Sequence, residues 1–159
     1  MALKGARYEA FTDISYFMNE VATRGGIASV STVGSGAALD QSAALVTYAA
    51  NSSGANPRGM LLNDMVNLDL TRQHLNQHRD EIQVGGKVTL GVKGWWVTDA
   101  YVGTPAKNDY AVLTSSGKVQ PLTKANYDSN AWAKSVNALV GKFWGSPDED
   151  GFVKLWVDL

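Results

Sequence analysis

The sequence predicts a mostly β fold, with a small antiparallel β-barrel or β-sandwich body, an extended N-terminal arm and at most one or two short helices. Short apolar runs separated by turn-forming residues recur in the C-terminal part of the chain, which is typical of strands. Sixteen glycines and only 18% charged residues are atypical of helical bundles. Five tryptophans and six tyrosines suit strands and interfaces.

The N-terminal segment differs in character from the rest of the chain. Residues 21–41 are rich in Gly, Ala, Ser and Thr, and Gly25-Gly26 and Gly34-Ser35-Gly36 interrupt them. Small side chains bury little apolar area, so this segment is not expected to hold a core of its own. We therefore predict an extended arm at residues 1–45, ordered by something outside it, and a β-barrel-like body at residues 46–159.

The strands of the body are predicted at residues 44–50, 60–70, 87–92, 95–102, 110–114, 138–144 and 152–159. The second run does not alternate cleanly, which allows a bulge near Asn63-Asp64. In the third run and just after it, Gly91 and Gly94 indicate a bulge or sharp bend ahead of Trp95 and Trp96.

The last two runs predict a hairpin closed by Pro147-Asp148-Glu149-Asp150-Gly151. Proline presets the turn and Gly151 supplies a left-handed position at its end. In the final strand Trp156 has the opposite parity to the apolar residues Val153, Leu155 and Val157. Trp156 is therefore expected on an outer surface that another chain covers.

Two segments are less regular. Residues 71–83 are the most polar stretch, and periodicity leaves a helical turn and an extended loop both open. Residues 127–139 are a helix candidate, because Trp132, Val136 and Leu139 fall at helical spacing.

Charge and composition argue against several functional classes. Fourteen basic and fifteen acidic residues give a net charge of −1, without the basic excess of a nucleic-acid binder. No run approaches the ~20 apolar residues of a membrane span, and the first residues lack the apolar region of a secretion signal. We predict no nucleic-acid or membrane partner and a product made in the cytoplasm. The absence of cysteine excludes disulfides and thiol chemistry.

Few residues suggest catalysis or metal binding. His74 and His78 have the i, i+4 spacing of a zinc pair near Glu81, but the Glu that follows the first His in metalloproteases is missing. A solvated polar segment is the simpler interpretation. No nucleophile elbow is present, although a Ser–Lys pair stays open. Residues 148–150 are better explained as an exposed acidic turn than as a calcium site. We predict no enzyme activity, no catalytic or metal residues and no cofactor.

Several strings resemble capsid cement (decoration) proteins of tailed bacteriophages. The similarity covers nearly the whole chain, at residues 59–64, 69–74, 85–90, 93–95 and 146–152, with residues 13–20 and 24–26 resembling the amino-terminal arm of that group. The resemblance implies a β-barrel-like body on the outer surface of the virion that bridges neighbouring major capsid protein subunits and stabilises the capsid. It also implies a homo-oligomer, a dimer or trimer.

Contact residues follow from composition and parity. An arm adds a strand to an exposed sheet edge and is ordered only on binding. The candidate contacts with the capsid are Tyr16, Phe17, Met18, Arg24, Gly25, Gly26 and Ile27 in the arm, with Trp156 as an outer anchor.

The alternative function is a carbohydrate-binding β module that uses exposed tryptophans as a stacking row. The five candidates are Trp95, Trp96, Trp132, Trp144 and Trp156. A metal-dependent hydrolase centred on His74, His78 and Glu81 is a third hypothesis.

Overall fold

The structure is a computed structural model that describes residues 3–30, 45–48, 56–62, 68–69, 74–75, 81–135 and 138–159. Strands dominate this part of the chain, which confirms the mostly β class. The strands are β1 (Leu3–Asp13), β2 (Phe17–Met18), β3 (Ala22–Thr23), β4 (Ile27–Val30), β5 (Leu45–Thr47), β6 (Pro57–Leu62), β7 (Leu68–Asp69), β8 (His74–Leu75), β9 (Glu81–Ile82), β10 (Thr89–Thr98), β11 (Tyr110–Leu113), β12 (Val119–Leu122), β13 (Leu139–Phe143) and β14 (Val153–Asp158). The short helices are α1 (Lys124–Ser129) and α2 (Ala131–Ser135).

One large mixed sheet organises the described strands. Its order is β12-β11-β13-β14-β10-β6-β4-β5-β2, and β1 pairs with β10. All these pairs are antiparallel except β2 with β5. The path does not close on itself, so within the described strands the fold is sandwich-like rather than a closed barrel. Two smaller pairs, β3–β9 and β7–β8, stand apart.

Strand β10 is the junction of the sheet. Its residues 93–98 pair with β14, its residues 89–91 pair with β6, and β1 runs along it. Gly94 has φ 151°, and β1 shifts register opposite this region, so the predicted irregularity is present. The two runs expected at 87–92 and 95–102 form one strand, because Gly94 bends the chain without ending it.

The core consists of two clusters that share the central strands. On β6, Met60 and Leu62 belong to the larger cluster, whereas Leu61 belongs to the smaller one. All three side chains are fully buried. Because both faces of β6 are covered at these positions, residues 60–62 form a continuous apolar run.

The described part of the predicted arm belongs to the body. Strand β1 pairs with β10, β3 with β9, and β4 with both β5 and β6. These pairings make residues 3–30 part of the sheets, whereas the sequence predicts an arm that something outside it orders. The physical reason is that main-chain hydrogen bonds to distant strands fix the segment, and these do not require bulky side chains. Residues 31–44 are not among those described.

The C-terminal predictions hold closely. Strands β13 and β14 form the expected antiparallel hairpin, and Gly151 has φ 80°. Strand β11 ends at Leu113, next to the end of the strand predicted at 110–114, and Gly117 in the turn that follows has φ 72°. The helix candidate at 127–139 is instead two short helices that meet at Asn130, and the chain then enters β13. No helix in the described part of the chain is long and apolar enough to cross a membrane.

Candidate interaction surface

A row of aromatic side chains crosses one face of the sheet. In the strand register Tyr8 lies opposite Trp95, and Trp95 lies opposite Trp156. Trp156 in turn lies opposite Lys142, which lies opposite Tyr110. Directly opposed residues of antiparallel strands point to the same face, so these five side chains share one surface.

Three indoles pack together on this surface. Trp144, which follows β13, stacks on Trp156 with ring centroids 5.8 Å apart and planes at 5°. It also lies 6.1 Å from Trp95, at 33°. The ammonium of Lys154 sits 3.6 Å from the ring centroid of Trp95 and 4.3 Å from that of Trp144, a cation–π arrangement. Trp144 is 44% exposed, and the other two indoles are half-buried.

A tyrosine pair extends the surface toward β11. Tyr110 stacks on Tyr127 of α1 at 4.9 Å and 15°. The ammonium of Lys142 lies 5.0 Å from the Tyr110 ring. At the other end Phe11, 66% exposed, lies opposite Lys93 on the same face. We call this surface the aromatic face; it comprises Tyr8, Phe11, Trp95, Tyr110, Tyr127, Lys142, Trp144, Lys154 and Trp156.

Positive charge accompanies these rings. Lys93 pairs with Asp158 at 2.9 Å across β10 and β14. Lys142 and Lys154 lie against aromatic rings, as described above. The aromatic face therefore combines apolar ring area with the ammonium groups of Lys142 and Lys154.

Four of the predicted contact residues are inside the body. Met18, Gly25, Gly26 and Ile27 are buried, with Met18 0% and Ile27 1% exposed. These residues are therefore not available as surface contacts in this conformation. The physical reason is that Met18 and Ile27 are members of the two core clusters, and that the turn between β3 and β4, which contains Gly25 and Gly26, lies against the sheet.

Hydrogen bonds from two distant strands hold that turn. The Gly25 N–H donates to the carbonyl of Leu61 at 3.0 Å, and the Leu61 N–H donates to the carbonyl of Gly26 at 2.8 Å. The Thr98 hydroxyl donates to the Gly25 carbonyl at 2.6 Å. The hydroxyl of Tyr48 accepts from the Gly26 N–H at 3.0 Å, and burial raises the pKa of this phenol.

The other predicted contacts are more accessible. Tyr16, Phe17 and Arg24 are half-buried, and the ammonium of Lys87 lies 5.8 Å from the Phe17 ring. Trp156 is half-buried on the face opposite to the core residues of β14, which confirms the parity argument. Of the eight predicted residues, Trp156 is the one that lies on the aromatic face.

Sequence reasoning did not assemble the rest of the aromatic face. The sequence predicts core or interface packing, or a sugar-stacking row, for Trp95 and Trp144, and it predicts that Lys154 shares the outer face of the last strand with Trp156, but it gives no sign of Lys142. Alternation within β10 and β14 was a usable signal, because Trp95 and Lys154 both occupy outward positions. Trp96, in contrast, is fully buried, and the side chain of Trp132 is not described.

The metal hypothesis at His74 and His78 falls on a segment that is only partly described. His74 lies in β8, paired with β7, and not on a helix; His78 falls in a segment that is not described. The helical i, i+4 geometry is therefore not formed at His74. Within the described ranges no group of three or more His, Cys, Asp or Glu side chains could hold a metal ion.

The acidic turn of the β13–β14 hairpin is an ion-paired structural element. Asp148 accepts hydrogen bonds from the N–H groups of Asp150 and Phe152, at 3.1 and 2.7 Å. The ammonium of Lys4 lies 2.8 Å from Asp148 and 3.1 Å from Asp150. The hydrogen bond from Lys4 is the largest cause that lowers the pKa of Asp148, and the pKa of Lys4 is raised in return. This contact ties the start of β1 to the hairpin.

Comparison with known proteins adds no identification. No protein-family model matches the chain, and no curated protein matches it significantly.

Proposed function

We propose that this chain is a non-enzymatic structural virion protein that binds the outer surface of an assembled phage capsid and cements adjacent major capsid protein subunits. The resemblance to cement proteins supports the identity of the partner. The observation that carries the proposal is the aromatic face, an exposed surface suited to protein contact. The contact residues proposed here are on that face, in place of the buried arm residues.

The composition of the aromatic face suits a protein interface. Tryptophan and tyrosine supply large, rigid contact areas with few rotatable bonds, and they dominate interface energetics. Contiguous exposed aromatic surface on a soluble domain commonly marks an interaction site. Trp144 and Trp156 lie at the centre of the face, where truncation is expected to cost most binding energy.

Selective binding to the assembled capsid would by itself stabilise that capsid. A ligand that binds the assembled lattice and not the free subunits stabilises the lattice by mass action. An interface of standard size buries roughly 800 Å² per partner, and many copies act together on one shell. The protein would thereby raise the temperature at which the shell disrupts.

The test mixes purified protein with assembled shells and, separately, with unassembled capsid protein. We expect binding to shells only, and a higher melting temperature for the decorated shell. Trp144→Ala should weaken binding at least about tenfold, since a central interface aromatic contributes about 2 kcal/mol or more. Val84→Ala is the matched control, because Val84 is a 63% exposed apolar residue outside the aromatic face. Equal binding to shells and subunits, or wild-type binding by Trp144→Ala, would contradict the proposal.

A carbohydrate-binding β module is the second candidate. Three partly accessible indoles on one face, Trp95, Trp144 and Trp156, favour it. The packing of these indoles argues against a carbohydrate-binding module. The rings stack on one another and Lys154 covers a face of Trp95, which leaves little flat ring surface for a sugar. Titration with glycans, followed by tryptophan fluorescence, separates the two candidates. Saturable quenching that Trp144→Ala abolishes would support the module.

A further inference from the structure

Two lysines of the aromatic face have no carboxylate partner in the described part of the chain. They are Lys142 and Lys154, whose ammonium groups lie against aromatic rings instead. An aromatic ring carries no net charge, so it cannot neutralise an ammonium group as a carboxylate does. No described residue therefore supplies a counter-charge to either lysine.

The lysines around the border of this surface are, in contrast, paired with carboxylates. Lys93 lies 2.9 Å from Asp158 across β10 and β14. On the two short helices, Lys124 lies 3.0 Å and Lys134 lies 3.9 Å from Asp128. Among the residues that the structure describes, positive charge is thus compensated at the border of the aromatic face and left without a counter-ion near its centre.

Both of these lysines are neighbours of Trp156. Lys142 lies directly opposite Trp156 on β13, and Lys154 precedes it by two residues on the same face of β14. Lys154 is half-buried, and its ammonium is held 3.6 Å from the ring centroid of Trp95 and 4.3 Å from that of Trp144. A side chain that its neighbours already hold in place loses less conformational entropy when a partner binds. Lys154 is therefore positioned in advance to receive a carboxylate.

We propose that the aromatic face docks a protein segment whose carboxylates stand beside apolar side chains. Lys154 binds one carboxylate and Lys142 a second, while the apolar side chains cover Trp144 and Trp156. Charge complementarity of this kind fixes the register of an interface and excludes wrong partners. The inference rests on the proposed function for the identity of the partner, which is then an acidic segment on the outer surface of the major capsid protein.

The charges on the aromatic face suit an acidic protein segment better than a nucleic acid. A nucleic acid is bound through many phosphate contacts, which require many cations. This surface offers two lysines without a described counter-ion, and the carboxylate of Asp158 lies on the same face of β14 as Lys154. The whole chain has a net charge of −1, which also opposes a polyanion. The large ring area, in contrast, is typical of the centre of a protein–protein interface.

Calorimetric titration with a random copolymer of glutamate and tyrosine tests the chemistry of the site. Lys154→Met keeps an unbranched stem against the rings but removes the charge, and it should raise the dissociation constant about tenfold. Lys142→Met should raise it about two- to fivefold, as for a more exposed ion pair, and Lys154→Arg should retain binding. Lys87→Met is the matched control, because this exposed lysine lies 5.8 Å from the ring of Phe17, beside β2 at the far end of the sheet order.

Three results of this titration would overturn the proposal. The first is no binding of the glutamate–tyrosine copolymer by the wild-type protein. The second is equal binding by Lys154→Met, once circular dichroism has confirmed that the variant is folded. The third is binding of a lysine–tyrosine copolymer or of oligothymidylate as tight as that of the acidic copolymer, which would show that the site does not select carboxylates.

Titration of assembled shells with the same variants separates this inference from the proposed function. Raising the salt from about 0.05 M to about 0.5 M should weaken wild-type binding about tenfold, and the double variant Lys142→Met, Lys154→Met should respond much less, because salt screens charge pairs. Shell binding that neither salt nor the double variant weakens would overturn this inference and leave the proposed function standing. Wild-type protein that binds the acidic copolymer but not the shells would overturn the proposed function and support the chemistry inferred for the site.

Discussion

Replacing Gly94 with alanine tests whether β1 is an integral strand of the body or an arm laid against it. Gly94 has φ 151°, outside the range that L side chains commonly adopt. A Cβ at this position would clash with the main-chain oxygen of Tyr8 and would lie 3.0 Å from Cη2 of Trp96. The oxygen belongs to a paired strand, so the clash can be relieved only by separating β1 from β10.

The loss of stability expected for Gly94→Ala has two sources. A non-glycine residue held at positive φ costs about 1–2 kcal/mol. Overpacking against a fixed neighbour costs about 1–3 kcal/mol. The sum, about 2–5 kcal/mol, corresponds to a melting temperature about 6–15 °C lower for a domain of this size. If β1 were an independent arm, its displacement would cost the body little and the melting temperature would barely change.

Two other glycines serve as matched controls. Gly151 has φ 80° but nothing within 4 Å of a built Cβ, so Gly151→Ala isolates the conformational cost of about 1–2 kcal/mol. Gly145 has open space and no positive φ, so Gly145→Ala should be neutral, or stabilising by about 0.4–1 kcal/mol through the unfolded chain. Thermal and urea unfolding, followed by tryptophan fluorescence, measures all three. A Gly94→Ala variant no less stable than Gly151→Ala would refute the reasoning.

Three further predictions concern the core, the hairpin turn and a buried hydrogen bond. Phe143→Ala should lower the free energy of unfolding by about 3–5 kcal/mol, because the ring is fully buried. Trp144→Ala, one residue along and 44% exposed, should cost under about 1.5 kcal/mol, and urea unfolding compares the two. Asp148→Asn should flatten the pH dependence of the melting temperature in acid. The hydrogen bond from Lys4 lowers the pKa of Asp148 below its ordinary 3.8, so the carboxylate contributes stability above about pH 4 that is lost as pH falls through the lowered pKa. An equally steep acid limb in Asp148→Asn would contradict this. Thr98→Val removes the buried hydroxyl that donates to the turn after β3 and should cost about 1–3 kcal/mol in unfolding measurements; a neutral effect would show that the turn does not need it.

The features that sequence predicted well are local ones. The β13–β14 hairpin follows from an acidic Pro-to-Gly turn between two apolar runs, and Gly151 has the predicted positive φ. Trp156 lies on the outer face because side chains alternate along every strand. These inferences needed only neighbours in the chain, where propensity and periodicity act.

Other features needed information that sequence patterns do not carry. The predicted helix at 127–139 breaks at Asn130, whose backbone is not helical, and a second short helix follows before β13. Gly91 was expected to mark an irregularity in the strand. In the structure it also makes room for the indole of Trp96, which folds back over it. Contacts of this kind depend on rotamers and on backbone bends set by the rest of the sheet.

The sequence alone determined the β class, the positions of most C-terminal strands and the outward parity of Trp156, since each follows from alternation or turn chemistry within a few residues. The tertiary structure decided where the N-terminal segment goes. Strand β1 meets β10 about eighty residues further along the chain through main-chain hydrogen bonds, which any side-chain composition permits. It also decided that Tyr8, Trp95, Trp156 and Tyr110 form one surface, because four strands distant in sequence share that face only through their register.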